Sequence, residues 1–282
     1  MHSVQDLQIP VTKPAGEIAI RVYSPAGSGP FPVHLNFHGG LWKLFIVELS
    51  FDHTDLNSGG WVLGSLKSEA AWCRHMCNMC NIVVIDVDYR MGPEYKYPAA
   101  IYDCWDAVKW VSQATSREHH LRHMTKSERK QTIANAETLN TIPHSVSFGG
   151  LSAGGHMSAV LAHFARDEGI DIKLHLMIVP ATDMRYCSPK IKTLDAQNCP
   201  YESARRLRDL PWSPLSREQW FLKYWLGEDA GKHTFPPREV YDCFRRSSLT
   251  ISSKMSKNAY LMSGYAHQCL HQTSKIFPRR ML

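Results

Sequence analysis

Residues 145–166 read SVSFGGLSAGGHMSAVLAHFAR, and three signals meet in that stretch. Residues 145–148 form a short, buried strand pattern; Gly150-Leu151-Ser152-Ala153-Gly154 fits G-x-S-x-G; residues 153–166 carry helical periodicity behind small side chains. A strand, a sharp glycine turn and a helix are the setting in which G-x-S-x-G exposes a serine hydroxyl at the edge of a sheet. The glycines admit a strained backbone that bulkier residues resist, and the amide of Ala153 then lies where an oxyanion would form. Ser152 is the candidate nucleophile. The plain alternative is a glycine-rich turn with an incidental serine.

Working outward, residues 18–23 (IAIRVY) and 33–37 (VHLNF) have strand character with Pro-Ala-Gly-Ser-Gly-Pro turn chemistry between them, a hairpin or two sequential strands. Residues 65–81 have helical periodicity. Residues 82–87 (IVVIDV) are the apolar, β-branched run of a strand covered on both faces. Residues 98–111 open with proline at a helix start, and residues 173–179 (KLHLMIV) read as another strand. Strands alternating with helices predict an α/β fold, a mostly parallel sheet with helices on both faces in a single domain, 1–282. Two segments fit the alternation badly: the opening residues, and 112–136, which makes one helix-to-strand connection far longer than usual. The histidines of the latter, His119, His120 and His123, belong to a solvated loop more readily than to a metal site.

With 282 residues, 44% hydrophobic and 21% charged, the chain has the composition of a globular domain. The net charge of +6 is spread out, and the densest basic run, 117–130, also holds two glutamates, which argues against nucleic acid. The N-terminus lacks the apolar run of a signal peptide, and no segment reaches membrane-spanning length. The expectation is a soluble intracellular protein whose eight cysteines are reduced thiols. Cys73, Cys77 and Cys80, at i, i+4 and i+7, share one helical face; a buried face is the simpler reading than a metal site, since His75 points away.

Three motifs, in order and separation, resemble the hormone-sensitive-lipase-like branch of the α/β-hydrolases: His38-Gly39-Gly40, Tyr89-Arg90-Met91-Gly92-Pro93-Glu94, and Gly150-Leu151-Ser152-Ala153-Gly154-Gly155. Pro180-Ala181-Thr182-Asp183 and WFLKYWLG at 220–227 extend the likeness, which runs over residues 18–229. The resemblance implies an α/β-hydrolase fold with a cap-like segment at 184–230. It implies a serine hydrolase in which the amides of Gly39, Gly40 and Ala153 form the oxyanion hole, with His38, Gly150 and Gly154 as motif residues. Such chemistry needs no metal or organic cofactor, and its partner is a small-molecule ester of small or medium apolar character. By analogy the pathway would be fungal secondary metabolism or toxin biosynthesis.

The departures matter as much. Nineteen residues, 41–59, separate His38-Gly39-Gly40 from Gly60-Trp61-Val62-Leu63-Gly64, and deleting them regenerates the family's motif without a gap. Nineteen codons of three nucleotides make 57, the length of a short retained intron; residues 112–136 invite the same reading. A lid loop with Leu44-Phe45-Ile46-Val47 over an apolar pocket is the alternative. Leu151 stands where the family has aspartate. The tail 232–282 is atypical or truncated, lacking the family's late acid and histidine segments; Asp242 and His267 are the stand-ins for acid and base, in the order Ser, Asp, His. His156 and Asp183 are read as structural. Two other functions stay open: a non-catalytic protein binding a ligand or partner, and an inactive product of an unspliced gene. Localisation is expected to be cytoplasmic, with the peroxisome as alternative, although Arg280-Met281-Leu282 matches S-K-L poorly. The sequence fixes no oligomeric state.

Overall fold

Among the described residues, the run at 82–87 lies in the middle of a six-stranded sheet. As strand β4 (Val83–Val87) it has every side chain buried, as expected of a strand covered on both faces. The computed structural model describes residues 3–39, 59–114, 139–181, 184–188, 191–199, 201–210 and 214–227. Its strands, β1 (Ser3–Thr12), β2 (Ala15–Ser24), β3 (Phe31–Phe37), β4, β5 (Thr141–Leu151) and β6 (Ile172–Ile178), lie in the order β1-β2-β4-β3-β5-β6. From β4 through β6 the pairing is parallel, while β1 and β2 add antiparallel strands at one edge.

That edge refines the sequence reading. Residues 18–23 and 33–37 are sequential strands rather than a hairpin, because β4 lies between β2 and β3. The hairpin partner of β2 is β1, in the opening residues that fitted the alternation badly. Only Ile9 and Val11 of β1 are buried, so its apolar signal is weak, and Pro10 within it suits an edge strand, where a missing N–H costs no ladder bond.

Alternation along the strands builds two layers. Val83, Ile85 and Val87 join Val33, Leu35 and Phe37 in the main core, which also takes side chains from α2 (Ala99–Ala114) and α3 (Ala153–Asp167). On the opposite face, Val84 and Tyr23 pack with Cys73 and Cys77 of α1 (Ala70–Cys80). Those two thiols are buried and Cys80 is partly so, the face that the i, i+4 spacing predicts. His34, Asn36 and Asp86, alternating with the apolar positions, are polar groups turned toward the α1 side. All three are nearly inaccessible.

Helix α2 runs to Ala114, three residues past the end read from sequence and into the start of the 112–136 segment. Residues 115–136 and 40–58, and the tail 232–282, lie outside the described residues. Within residues 184–227, part of the stretch that the family resemblance reads as cap-like, come a 3₁₀ turn (Arg185–Cys187) and helices α4 (Glu202–Arg206) and α5 (Leu215–Leu226). Helix α5 buries Phe221, Leu222, Trp225 and Leu226 in the main core.

Candidate active site

Strands β3 and β5 run parallel with Phe37 opposite Gly150, so both deliver their C-terminal ends to one edge of the sheet. Past β5 the chain reverses at Ser152, whose φ of 53° and ψ of −111° put a non-glycine residue in left-handed territory. Such a conformation costs about 1–3 kcal/mol and persists only when its surroundings enforce it. Here the Ser152 N–H donates to Ile178 O at 2.9 Å, and the Ser152 carbonyl accepts the His156 N–H at 2.9 Å and the Ala181 N–H at 3.4 Å. Glycine is required on both sides, since a Cβ on Gly150 or Gly154 would overlap the Phe37 carbonyl oxygen. Ala153 is the first residue of α3, so its N–H sits among the helix's leading donors, at the positive end of the dipole. The Ser152 side chain is partly exposed, and no described side chain is hydrogen-bonded to its hydroxyl.

The second wall is the turn after β3. A Cβ on Gly39 would overlap Leu151 O, so this turn lies directly against the serine elbow. His38 is its strut. The ring stacks on Tyr89 at 4.3 Å with 16° between planes, its carbonyl accepts the Tyr89 hydroxyl at 2.6 Å, and its Nδ1–H donates to Gly39 O at 3.3 Å. Burial pushes the His38 pKa down to about 4, so the ring is neutral near pH 7. Arg90 locks the same segment to α2: its guanidinium forks onto Asp103 at 2.9 and 2.7 Å, and its backbone N–H adds a third bond at 2.9 Å.

Among the sequence-predicted site residues, the structure brings Ser152, Ala153, Gly150, Gly154, His38 and Gly39 together. Gly40, Asp242 and His267, and the residue read as structural, Asp183, lie outside the described residues. One expectation changes. The Gly39 N–H donates to Glu69 Oε1 at 2.6 Å and is therefore engaged, not open to an oxyanion. His156 is also committed: its Nδ1 accepts the Trp61 indole N–H at 3.2 Å, and burial holds its pKa down to about 4.

The interrupted motif closes up in space. A Cβ on Gly59 would lie 2.6 Å from the Gly39 carbonyl carbon and 3.0 Å from its Cα, so the two backbones touch on either side of residues 40–58. Trp61 then stacks on Trp225 of α5 at 4.2 Å and 8°, tying the cap-like segment to the elbow helix through His156.

Sequence reasoning missed Glu69, Asn36 and Asp86. The signal was there: a carboxylate inside IVVIDV and an amide inside VHLNF are polar groups in strands buried on both faces, and such groups require partners.

Comparison with known proteins agrees with this geometry. An alpha/beta hydrolase fold family model matches residues 55–245. An AB hydrolase superfamily protein of Schizosaccharomyces pombe is 28% identical over 234 residues, covering 80% of this chain and 54% of the relative. The carboxylic ester hydrolase LipN of Mycobacterium tuberculosis is 34% identical over 185 residues, 64% of this chain and 38% of its own. Among solved structures, the hyperthermophilic esterase from Pyrobaculum calidifontis superposes with a TM-score of 0.59 at 27% identity, covering 84% of this chain and 59% of that one. The chain thus spans about half, or less, of the length of these curated relatives. Fold, elbow and sequence match together place the chain in the alpha/beta hydrolase fold family.

Proposed function

We propose that this chain is a carboxylesterase-like serine hydrolase. The observation that carries the reading is the strained backbone of Ser152 at the end of β5, with the Ala153 N–H beside it and two glycines that nothing larger can replace. In this reading the Ser152 hydroxyl attacks an ester carbonyl, forming a tetrahedral intermediate whose oxyanion takes hydrogen bonds from the amides of Ala153 and Gly40. Each such donor is worth on the order of a hundredfold in rate. Collapse expels the alcohol, and water then releases the acid from the acyl-enzyme.

A serine hydroxyl needs a base to attack at neutral pH. His38 and His156 are both held by structural bonds; by the family's chain order of Ser, Asp, His, the acid is assigned to Asp242 and the base to His267. The substrate is a small or medium apolar ester, in keeping with the relatives named as ester hydrolases. A fungal source draws its support from the Schizosaccharomyces pombe relative and from the intron-sized segment at 41–59; a place in secondary metabolism or toxin biosynthesis rests on analogy with the family alone. Among the described residues no helix is long and apolar enough to cross a membrane.

Hydrolysis of a graded series of p-nitrophenyl esters by the full chain and by Ser152→Ala tests this. Turnover that falls on the order of a thousandfold in the variant supports the esterase. Absence of turnover across the series, with saturable binding of the same esters, supports a binding protein built on the same fold.

A further inference from the structure

Beneath the turn after β3 lies a buried polar cluster with no part in the chemistry just described. Asn36 of β3 spends both N–H bonds of its amide on two carboxyl groups, Glu69 Oε2 at 3.0 Å and Asp86 Oδ1 at 2.9 Å. The other oxygen of Glu69 takes the Gly39 N–H at 2.6 Å. Asp86 Oδ2 is buried with no hydrogen-bond partner, and Glu69 and Asp86 are 1% and 0% exposed. Two carboxyl groups inside a sheet–helix interface, reached by one shared amide, are costly to keep unless they do something that apolar side chains would not.

We propose that Glu69 is the positioning residue of the oxyanion turn, gripping the Gly39 N–H from below while Asn36 and Asp86 hold the carboxylate in place. The proposal rests on the esterase reading. Its geometry is specific: Glu69 directly precedes α1, Asn36 lies two residues before His38 on β3, and the Gly39 backbone touches the serine elbow at Leu151 O. A shift of Glu69 is therefore transmitted to the turn by one hydrogen bond and to the elbow by one van der Waals contact.

The cluster also titrates. Groups facing it are Asn36 and the Gly39 N–H from β3 and its turn, Cys73 from α1, Tyr23 and Arg21 from β2, and Asp88 and Tyr89 beyond β4. Arg21, the cation of this set, is paired with Asp6 at 2.7 Å. Burial pushes Asp86 well above the usual carboxylate range. Burial also raises Glu69 to about 7, against the pull of the Asn36 and Gly39 bonds. Both Glu69 oxygens accept from N–H donors, so a proton on Oε1 opposes the Gly39 N–H and a proton on Oε2 opposes the Asn36 amide that holds the carboxyl in place. Below pH about 7 the bonding around Gly39 therefore changes, which its amide signal reads directly.

His38-Gly39 is the one His–Gly step in the sequence, so carbonyl-13C histidine with 15N glycine isolates a single amide signal. In the full-length protein the Gly39 resonance is expected to move with pH about a midpoint near 7, and to lose that titration in Glu69→Gln. Esterase kinetics at pH 8 give the second readout. Glu69→Leu should lower kcat on the order of a hundredfold with KM changed by less than about threefold, while Glu69→Gln, which keeps an acceptor for Gly39, stays within about tenfold of the parent. A Gly39 signal that is flat with pH, or that titrates equally in Glu69→Gln, overturns the proposal, as does wild-type kcat in Glu69→Leu. Should Glu69→Leu fail to fold, the Gly39 titration in the parent and in Glu69→Gln decides alone. A parent protein without esterase activity removes the catalytic reading, and the titration still reports whether Glu69 holds the turn.

Discussion

Truncating Trp225 to alanine tests how the cap-like segment is attached to the site. The side chain is 0% exposed. It stacks on Trp61 at 4.2 Å and meets the rings of Tyr97 at 5.2 Å and His156 at 5.6 Å edge-on, while its carbonyl accepts the Tyr97 N–H at 2.8 Å. Removing a fully buried tryptophan costs about 3–5 kcal/mol through lost transfer energy and the cavity left behind. The three ring contacts place this case in the upper part of that range, about 4–5 kcal/mol, since each well-oriented aromatic pair adds about 0.5–1.5 kcal/mol to its area. For a domain of this size that corresponds to a melting temperature lowered by roughly 7–9 °C. Trp225→Phe keeps one stacked ring and should cost about 1–2 kcal/mol. Calorimetry on the parent and both variants makes the comparison. A loss below about 3 °C in Trp225→Ala would mean that α5 contributes little to the core, and the packing argument would fail.

Three further outcomes are expected. Deleting residues 41–59 lets Gly40 take the place Gly59 now holds against Gly39, so the shortened protein should unfold cooperatively at a melting temperature no lower than the parent's; an aggregated or molten variant would show that the segment belongs to the core. Stability should fall on acidification from pH 6.5 to 4.5. His34, His38 and His156 are buried neutral with pKa values pushed down to about 4, so the unfolded chain, titrating near 6.5, takes up protons the folded chain refuses. Glu69 and Asp86, with raised pKa values, act in the opposite sense, their stabilisation being full below the unfolded carboxylate pKa and lost as pH rises through about 7 for Glu69. With His163 and His175 lowered as well and Asp88 raised, five groups against three set the sign, and a melting temperature flat across that window contradicts it. Gly154→Ala should abolish native folding or esterase turnover, because its methyl has no space beside Phe37 O; near-parental activity would show that the elbow is looser than described.

Much of this was legible in the chain because the decisive signals are local. The G-x-S-x-G turn needs only its flanking strand and helix, and IVVIDV declares a doubly covered strand by composition alone. Strand β1 was not legible: its polar face dominates, and only pairing with β2 makes an extended segment with an internal proline stable. Neither was the order β2-β4-β3, since short turn chemistry between residues 23 and 33 suggests adjacency that the crossover overrides. The motif assigns the Gly39 amide to the oxyanion because a motif carries no information about what lies beneath it. Glu69 reaches that amide from thirty residues away in sequence, and side-chain contacts of that kind have no sequence period.

Intact-mass and peptide-mapping spectrometry after exposure to a fluorophosphonate reads the proposed nucleophilicity of Ser152. One phosphonyl adduct per chain is expected, on the peptide containing Gly150-Leu151-Ser152-Ala153-Gly154, and none in Ser152→Ala. An unmodified chain after prolonged exposure, or an adduct on any other residue, would contradict it.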